Sequence, residues 1–152
     1  MMTYKTVREV LEQVSRFHEE LGRFYERAAG ESDSPRTKLL LDYLSRYRER
    51  HEKEMQELEK DTNSTALDVW LQYTPEFSGI SDLSTFKIHS RMTIEDVFQT
   101  VVEFHNAMIG YYEHLSQLVS DETAADIFAR LAEMTRQEKT ELAFSLNTLQ
   151  DI

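Results

Sequence analysis

The chain has 152 residues, and its 28 Asp and Glu against 17 Lys and Arg give a formal net charge of −11. This length fits one domain with a proper core, and 40% hydrophobic with 30% charged residues excludes a disordered tail and a membrane protein. The absence of cysteine excludes disulfides, thiolate zinc sites and iron–sulfur clusters. The acidic charge disfavours nucleic acid and anionic membranes as partners, and we expect a cytoplasmic protein because the first ten residues do not resemble a signal peptide.

Apolar residues recur at three- and four-residue steps through a first segment, which predicts an amphipathic helix over about 3–29. Turn-forming residues up to Ser34 break this pattern. Ser34 followed by Pro35 is a typical helix start, since serine caps the first turn and proline fits its first position. A second helix is therefore predicted to about residue 60, and the short link makes 3–60 an antiparallel hairpin.

A second helical hairpin is predicted over 93–149, with Thr93 and Asp121 as candidate caps of its two helices. Between the hairpins, 61–92 holds most of the turn-forming residues, and a short helix over 66–73 is expected to pack Trp70 on the bundle. A connection of that length can travel along a whole bundle. We therefore predict one all-α domain over 1–152, an antiparallel four-helix bundle whose two hairpins are joined by a long crossover.

The two hairpins resemble copies of each other. A shift of 87 residues places the His-x6-Tyr-Glu string that begins at His18 on the string that begins at His105, and it places Ser34 on Asp121. Unrelated amphipathic helices also align at some shift, but they would not bring two such strings into register. We therefore predict a duplicated hairpin in which 7–58 superposes on 94–145 without gaps.

Ionisable residues occupy the middle of each apolar stripe, where a leucine is expected. A step of three residues separates His51 from Glu54 on the second helix and Glu138 from Glu141 on the fourth. It puts the two residues of each pair on one helix face, one turn apart. Because hairpin geometry brings the middles of the helices together, we expect all six residues to meet in one level of the core. This predicted polar layer consists of His18, His51, Glu54, His105, Glu138 and Glu141.

Three buried carboxylates at one level would repel one another, and burying each costs several kcal/mol without compensation. A divalent cation supplies that compensation. A mixture of carboxylate oxygens and neutral imidazole nitrogens favours Fe, Mn, Zn or Co over Ca or Mg. The sequence therefore predicts one or two metal ions per chain, with Fe, Mn or Zn as the candidates.

This layout resembles the ferritin-like di-iron carboxylate proteins, with the spacing of bacterioferritin and rubrerythrin. The family pattern is a Glu on the first helix and Glu-x-x-His on the second, repeated on the third and fourth. The polar layer keeps these places, and 33 residues separate both His18 from His51 and His105 from Glu138. The resemblance implies a ferritin-like bundle with a metal site in its core and a redox, oxidative-stress or metal-handling function.

The ligand identities depart from the family pattern. No Glu-x-x-His occurs in the chain, and of the two positions that bridge the metals in the family only Glu138 is a carboxylate. The site could therefore hold a single metal ion or a loosely coupled pair of metal ions instead of the di-iron pair of the family. Tyr25 and Tyr112 match tyrosines that hydrogen-bond the family's site, with plain core tyrosines as the alternative interpretation.

Other family traits are also missing. Glu52 stands where bacterioferritin carries its haem-ligating methionine, so we expect no haem. The sequence ends with the fourth helix, whereas cage ferritins add a short fifth one. We therefore expect a homodimer rather than a 24-subunit cage.

Two functions follow from these interpretations, and whether the chain is an enzyme stays open. The first is a metal-binding protein with redox activity, such as an oxidase or peroxidase that uses Fe or Mn. The second is a non-catalytic bundle with a vestigial metal site, acting as a binding or assembly module. In that case His and Glu hydrogen-bond one another, and Arg48, one turn before His51, neutralises Glu138 or Glu54.

Overall fold

Four long helices dominate the computed structural model, which describes residues 3–74 and 91–150. In chain order the elements are β1 (Thr3–Thr6), α1 (Val7–Glu31), α2 (Pro35–Asp61), α3 (Ser64–Leu67), β2 (Trp70–Thr74), α4 (Ile94–Leu118) and α5 (Glu122–Gln150). α1 packs against α2 and α4 packs against α5, while α2 also packs against α5. The predicted all-α bundle of two helical hairpins is confirmed.

Each long helix begins at a polar side chain that accepts a hydrogen bond from the backbone N–H three residues later, at 2.9 to 3.3 Å. These bonds satisfy N–H groups that have no partner within the helix. The capping residues are Thr6, Ser34, Thr93 and Asp121. The last three agree with the caps predicted from the sequence.

The start of the first helix and the short helix of the crossover differ from their predictions. Residues 3–6 form β1 rather than helix, because their backbone pairs in antiparallel fashion with β2. The short helix ends at Leu67, since the chain from Trp70 onward joins this ladder. Trp70 is 63% exposed and does not pack on the bundle as expected. The rest of the predicted crossover, 75–90, lies outside the described residues.

The helix bounds follow the shift of 87 residues. α1 and α4 have the same length, with α4 beginning and ending 87 residues after α1, and α5 begins 87 residues after α2. The capping residues Thr6 and Thr93 are also related by this shift. These coincidences support the duplicated hairpin, whose gapless superposition stays a prediction.

The hydrophobic core runs along the bundle and contains residues from all four long helices. Phe17 of α1 and Phe104 of α4 contact each other in its middle, with ring centroids 5.0 Å apart. Within the described part of the chain, no helix combines the length and apolar character needed to cross a membrane.

Replacing Thr93 by alanine tests the capping arrangement. Thr93 accepts from the N–H of Asp96, and the Asp96 carboxylate accepts from the N–H of Thr93, so Thr93→Ala should lower the free energy of unfolding by about 1 kcal/mol. Thr123→Ala, an exposed change in the first turn of α5, is the matched control and should have little effect. Equal urea-unfolding midpoints for the two variants would contradict the assignment.

Candidate metal centre

Four of the six predicted polar-layer residues meet in the middle of the bundle, one from each long helix. They are His18, His51, His105 and Glu138, and we call them the core quartet; all four are buried, with 8% exposure at most. The rings of His18 and His51 stack with centroids 4.5 Å apart. The core quartet therefore places three imidazoles around a single carboxylate.

Glu54 and Glu141 do not join the core quartet, so the expectation that all six residues share one buried level is wrong. Both are exposed, and Glu141 forms an ion pair with Arg50 across the contact between α2 and α5. A step of three residues turns a helix by about 300°, which leaves each of them roughly 60° away from the quartet position. On that side solvent and Arg50 are nearer than the core, and an exposed carboxylate avoids the desolvation penalty.

Glu138 is the anion of the core quartet. Its Oε1 accepts a hydrogen bond from Nδ1 of His51 at 2.6 Å, and its Oε2 faces Nε2 of His105 at 3.7 Å. Burial alone would raise the pKa of Glu138, but the interactions with His105 and His51 outweigh it and lower the pKa to about 2. Glu138 is therefore ionised at neutral pH.

The ring of His105 is oriented by the backbone of its own helix. Its Nδ1 donates to the carbonyl oxygen of Val101 at 2.8 Å, which directs Nε2 toward Glu138. A neutral ring in this orientation presents the lone pair of Nε2 to an anionic oxygen. A metal ion, or a water molecule that donates to both atoms, would satisfy such a contact.

His18 is a fully buried imidazole, and neither of its ring nitrogens has a hydrogen-bond partner among the described residues. Burial is the main cause that lowers its pKa well below the ordinary value, and His51, His105 and Arg48 add to the shift against the opposing charge of Glu138. His18 is therefore neutral, with a lone pair available to a ligand.

A small cavity of about 20 Å³ adjoins the core quartet, enough for one water-sized particle. His18, His105 and Glu138 line it. The remaining lining residues are Leu21, Tyr25, Leu44, Tyr47, Arg48, Phe104, Met108 and Thr135. Donors from three helices therefore line one small, partly open space of about the size of a single ion.

Tyr25 and Tyr112 are both buried near this site. Burial, and then the negative charge of Glu138, raises the pKa of each phenol well above its ordinary value. Both hydroxyls therefore stay protonated, and within the described ranges that of Tyr112 has no hydrogen-bond partner. Tyr25 lines the cavity, whereas Tyr112 stands beside it as a neighbour of Glu138.

Arg48 lines the cavity, but it does not neutralise Glu138 or Glu54 as the second sequence interpretation expected. Its guanidinium pairs with Glu52 at 3.1 Å and, more loosely, with Glu49 at 3.9 Å. Both partners belong to α2, one turn or less away. The positive charge of Arg48 is therefore balanced outside the core quartet.

Gly22 of α1 is a site residue that the sequence interpretation missed. A Cβ atom built at Gly22 would lie 2.1 Å from Nε of Arg48 and 2.6 Å from its Cζ, so Arg48 occupies the space that any larger residue would need. A glycine in the middle of a helix costs about 1 kcal/mol relative to alanine. A glycine retained there despite this cost could have indicated from the sequence that another side chain lies close to the α1 backbone at Gly22.

The core quartet does not fit the di-iron pair of the ferritin-like family. Such a pair needs several carboxylates, and the quartet has only Glu138, with the cation of Arg48 at the same cavity. In the described ranges 3–74 and 91–150, no group of three or more His, Asp or Glu is already arranged to hold a metal. Two donor atoms, Nε2 of His105 and Oε2 of Glu138, are 3.7 Å apart, close to the roughly 3.4 Å that separates two ligands of one tetrahedral ion.

The low pKa of Glu138 predicts an acid-dependent contribution to stability. Because the folded pKa of about 2 lies below the ordinary value of 4.5, unfolding takes up a proton below about pH 4.5. The stability advantage of wild type over Glu138→Gln should therefore be full above pH 5 and shrink by about 2 kcal/mol between pH 6 and pH 3.

Urea unfolding at pH 6, 5, 4 and 3 measures this difference. The lowered pKa of His18 also destabilises the fold below its ordinary value of 6.5, and this effect is larger in Glu138→Gln because the charge of Glu138 opposes the shift. The comparison is therefore repeated with His18→Asn in both proteins, where this effect is absent. Glu57→Gln controls for the loss of an exposed carboxylate. A difference that does not change with pH would show that Glu138 is not held as a buried anion.

Comparison with known proteins agrees with the fold. The sequence matches no protein-family profile and no curated protein. A solved structure from Thermotoga maritima, described provisionally as a ferritin-like diiron-carboxylate protein, is similar with a TM-score of 0.59 at 16% sequence identity. The match covers 95% of this chain and 96% of that one. The chain therefore has the ferritin-like fold that the spacing of its polar residues predicts.

Proposed function

We propose that this ferritin-like bundle is a metal-binding protein that holds one divalent transition-metal ion beside Glu138, with Fe, Mn and Zn as the candidates. The observation that carries the proposal is the pair formed by Nε2 of His105 and Oε2 of Glu138, which face each other at 3.7 Å at one cavity. That distance is too long for a hydrogen bond and close to the separation of two ligands of one ion.

The surroundings of this pair favour its use as a metal site. The bond from His105 Nδ1 to the Val101 carbonyl fixes the ring orientation, as outer-shell bonds do for metal-ligating histidines. His51 holds the other oxygen of Glu138. Neutral His18 has two ring nitrogens without partners and supplies the third donor once its ring turns.

The chemistry of one such ion differs from that of a di-iron pair. When bound, the ion would supply Lewis-acid or one-electron redox chemistry at the cavity. The chain's own residues exclude bulk water from it, and Tyr25 presents a protonated hydroxyl to it. A redox or oxidative-stress role belongs to this proposal, and the diiron-carboxylate description of the Thermotoga protein is consistent with it. The homodimer and the cytoplasmic location stay predictions.

A second candidate function is the non-catalytic bundle with a vestigial site. The hydrogen bond of 2.6 Å between His51 and Glu138 favours it, because the carboxylate already has a strong partner inside the protein. In that case the hydrogen bond from His51 stabilises the Glu138 carboxylate without a metal ion, and the protein acts through its surface as a binding or assembly module.

Metal titration separates the two candidates. We expect purified metal-free protein to bind about one equivalent of Co²⁺ or Zn²⁺, measured by calorimetry and by elemental analysis after gel filtration. His105→Ala and Glu138→Gln should each weaken binding by roughly 10- to 100-fold, since each removes one donor of the pair.

His114→Ala is the matched control, because His114 is an exposed histidine on the same helix as His105 and should not affect the affinity. Binding of two equivalents would indicate a metal pair instead. No binding, or equal affinity in all variants, would refute the metal site and favour the vestigial interpretation.

A further inference from the structure

The cavity beside the core quartet is most exposed along one edge of α2. Eleven residues line it, and all are buried except the adjacent pair Tyr47 and Arg48, which are partly exposed. These two side chains therefore form the most exposed part of the cavity wall.

Bonds or ring contacts outside the core quartet join the two helices at three of the four helix contacts around the cavity, whereas α1 and α2 meet through the stacked rings of the quartet members His18 and His51. α1 and α4 are joined by the Phe17–Phe104 ring contact. α2 and α5 are joined by the 2.8 Å bond from Tyr47 Oη to Ser145 Oγ and by the Arg50–Glu141 ion pair. α4 and α5 are joined by Lys139–Asn106 at 2.7 Å and by the Arg136–Glu113 ion pair. Tyr47 is therefore held in place.

Beside the cavity, the contact between α1 and α2 is covered by the side chain of Arg48. Arg48 extends from α2 over Gly22 of α1, and its ion pairs are with Glu52 and Glu49 of its own helix. Its Nε is buried without a hydrogen-bond partner among the described residues. Arg48 therefore lies against α1 without being bonded to it.

An outward movement of Arg48 would keep it beside Glu49, an exposed ion-pair partner on the same helix. Burial, and then the charge of Glu19 of α1, raises the pKa of Glu52, the other partner. In contrast, the inward position leaves Nε unpaired. It also places a positive charge at the cavity, where it opposes a second cation.

We propose that Arg48 is a movable cover of the cavity, seated in the notch at Gly22, and that a divalent cation reaches Glu138 between α1 and α2 when this side chain swings outward. The entry of a cation rests on the proposed function, whereas the movement of Arg48 does not. Arg48 then determines how fast the core quartet exchanges with solvent.

Chemical modification of His18 tests the cover without any metal. Diethyl pyrocarbonate acylates accessible neutral imidazole nitrogens, and mass spectrometry of peptides gives the rate at each histidine. We expect His18 to react slowly in wild type and at least about tenfold faster in Arg48→Ala. Gly22→Ala should act in the same direction, because its Cβ displaces Arg48 while keeping the charge.

Two matched variants and one internal standard control this experiment. Gly30→Ala adds the same methyl group to α1 where no atom lies within 4 Å, and Arg46→Ala removes an exposed arginine from α2. Neither should change the reactivity of His18. The exposed His114 should react at one rate in all variants, which controls for the reagent concentration.

The rate of Co²⁺ uptake tests the route. We expect it to rise at least about fivefold in Arg48→Ala and in Gly22→Ala, and to stay unchanged in the two controls. Unaltered reactivity of His18 in both variants would show that Arg48 does not cover the cavity. Faster acylation of His18 without faster Co²⁺ uptake would show that the cation does not enter past Arg48. If wild type binds no metal, the proposed function fails, and the modification rates alone decide on the cover.

Discussion

The centre of this bundle depends on one buried carboxylate and its hydrogen bond. Burial raises the pKa of Glu138 of α5, but His105 of α4 and His51 of α2 outweigh it and keep the carboxylate anionic. Nδ1 of His51 donates to it across the contact between the two hairpins. Removing either partner would leave a buried polar group unpaired, which costs several kcal/mol. The positions of His105 and His18, the adjoining cavity and the protonated tyrosines are all arranged around this charge.

The two halves of the site are related in sequence but differ in chemistry. The shift of 87 residues relates His51 to Glu138, so one hairpin contributes an imidazole where the other contributes a carboxylate. The same shift relates Arg48 to Thr135, which is buried and donates to its own helix backbone. One half of the site therefore carries the buried anion Glu138, where the other half carries the imidazole of His51 and the cation of Arg48.

Local patterns predicted the bundle, while the details of the site depend on contacts between distant residues. Helical stripes and the caps at Ser34, Thr93 and Asp121 lie within single segments. β1 was missed because its backbone partner lies more than 60 residues away. Glu54 and Glu141 lie one turn from the quartet members His51 and Glu138, and only packing shows that a rotation of roughly 60° leaves these two glutamates exposed while the quartet is buried.

Ring-nitrogen NMR of ¹⁵N-histidine-labelled protein, metal-free and with one equivalent of Zn²⁺, tests whether His105 and Glu138 hold a metal ion. We expect Zn²⁺ to shift the Nε2 resonance of His105 into the metal-bound range. Nδ1 of His51 should keep its proton and its hydrogen bond to Glu138 in both states. A spectrum in which Zn²⁺ perturbs only the exposed His114, and leaves His18 and His105 unchanged, would contradict it.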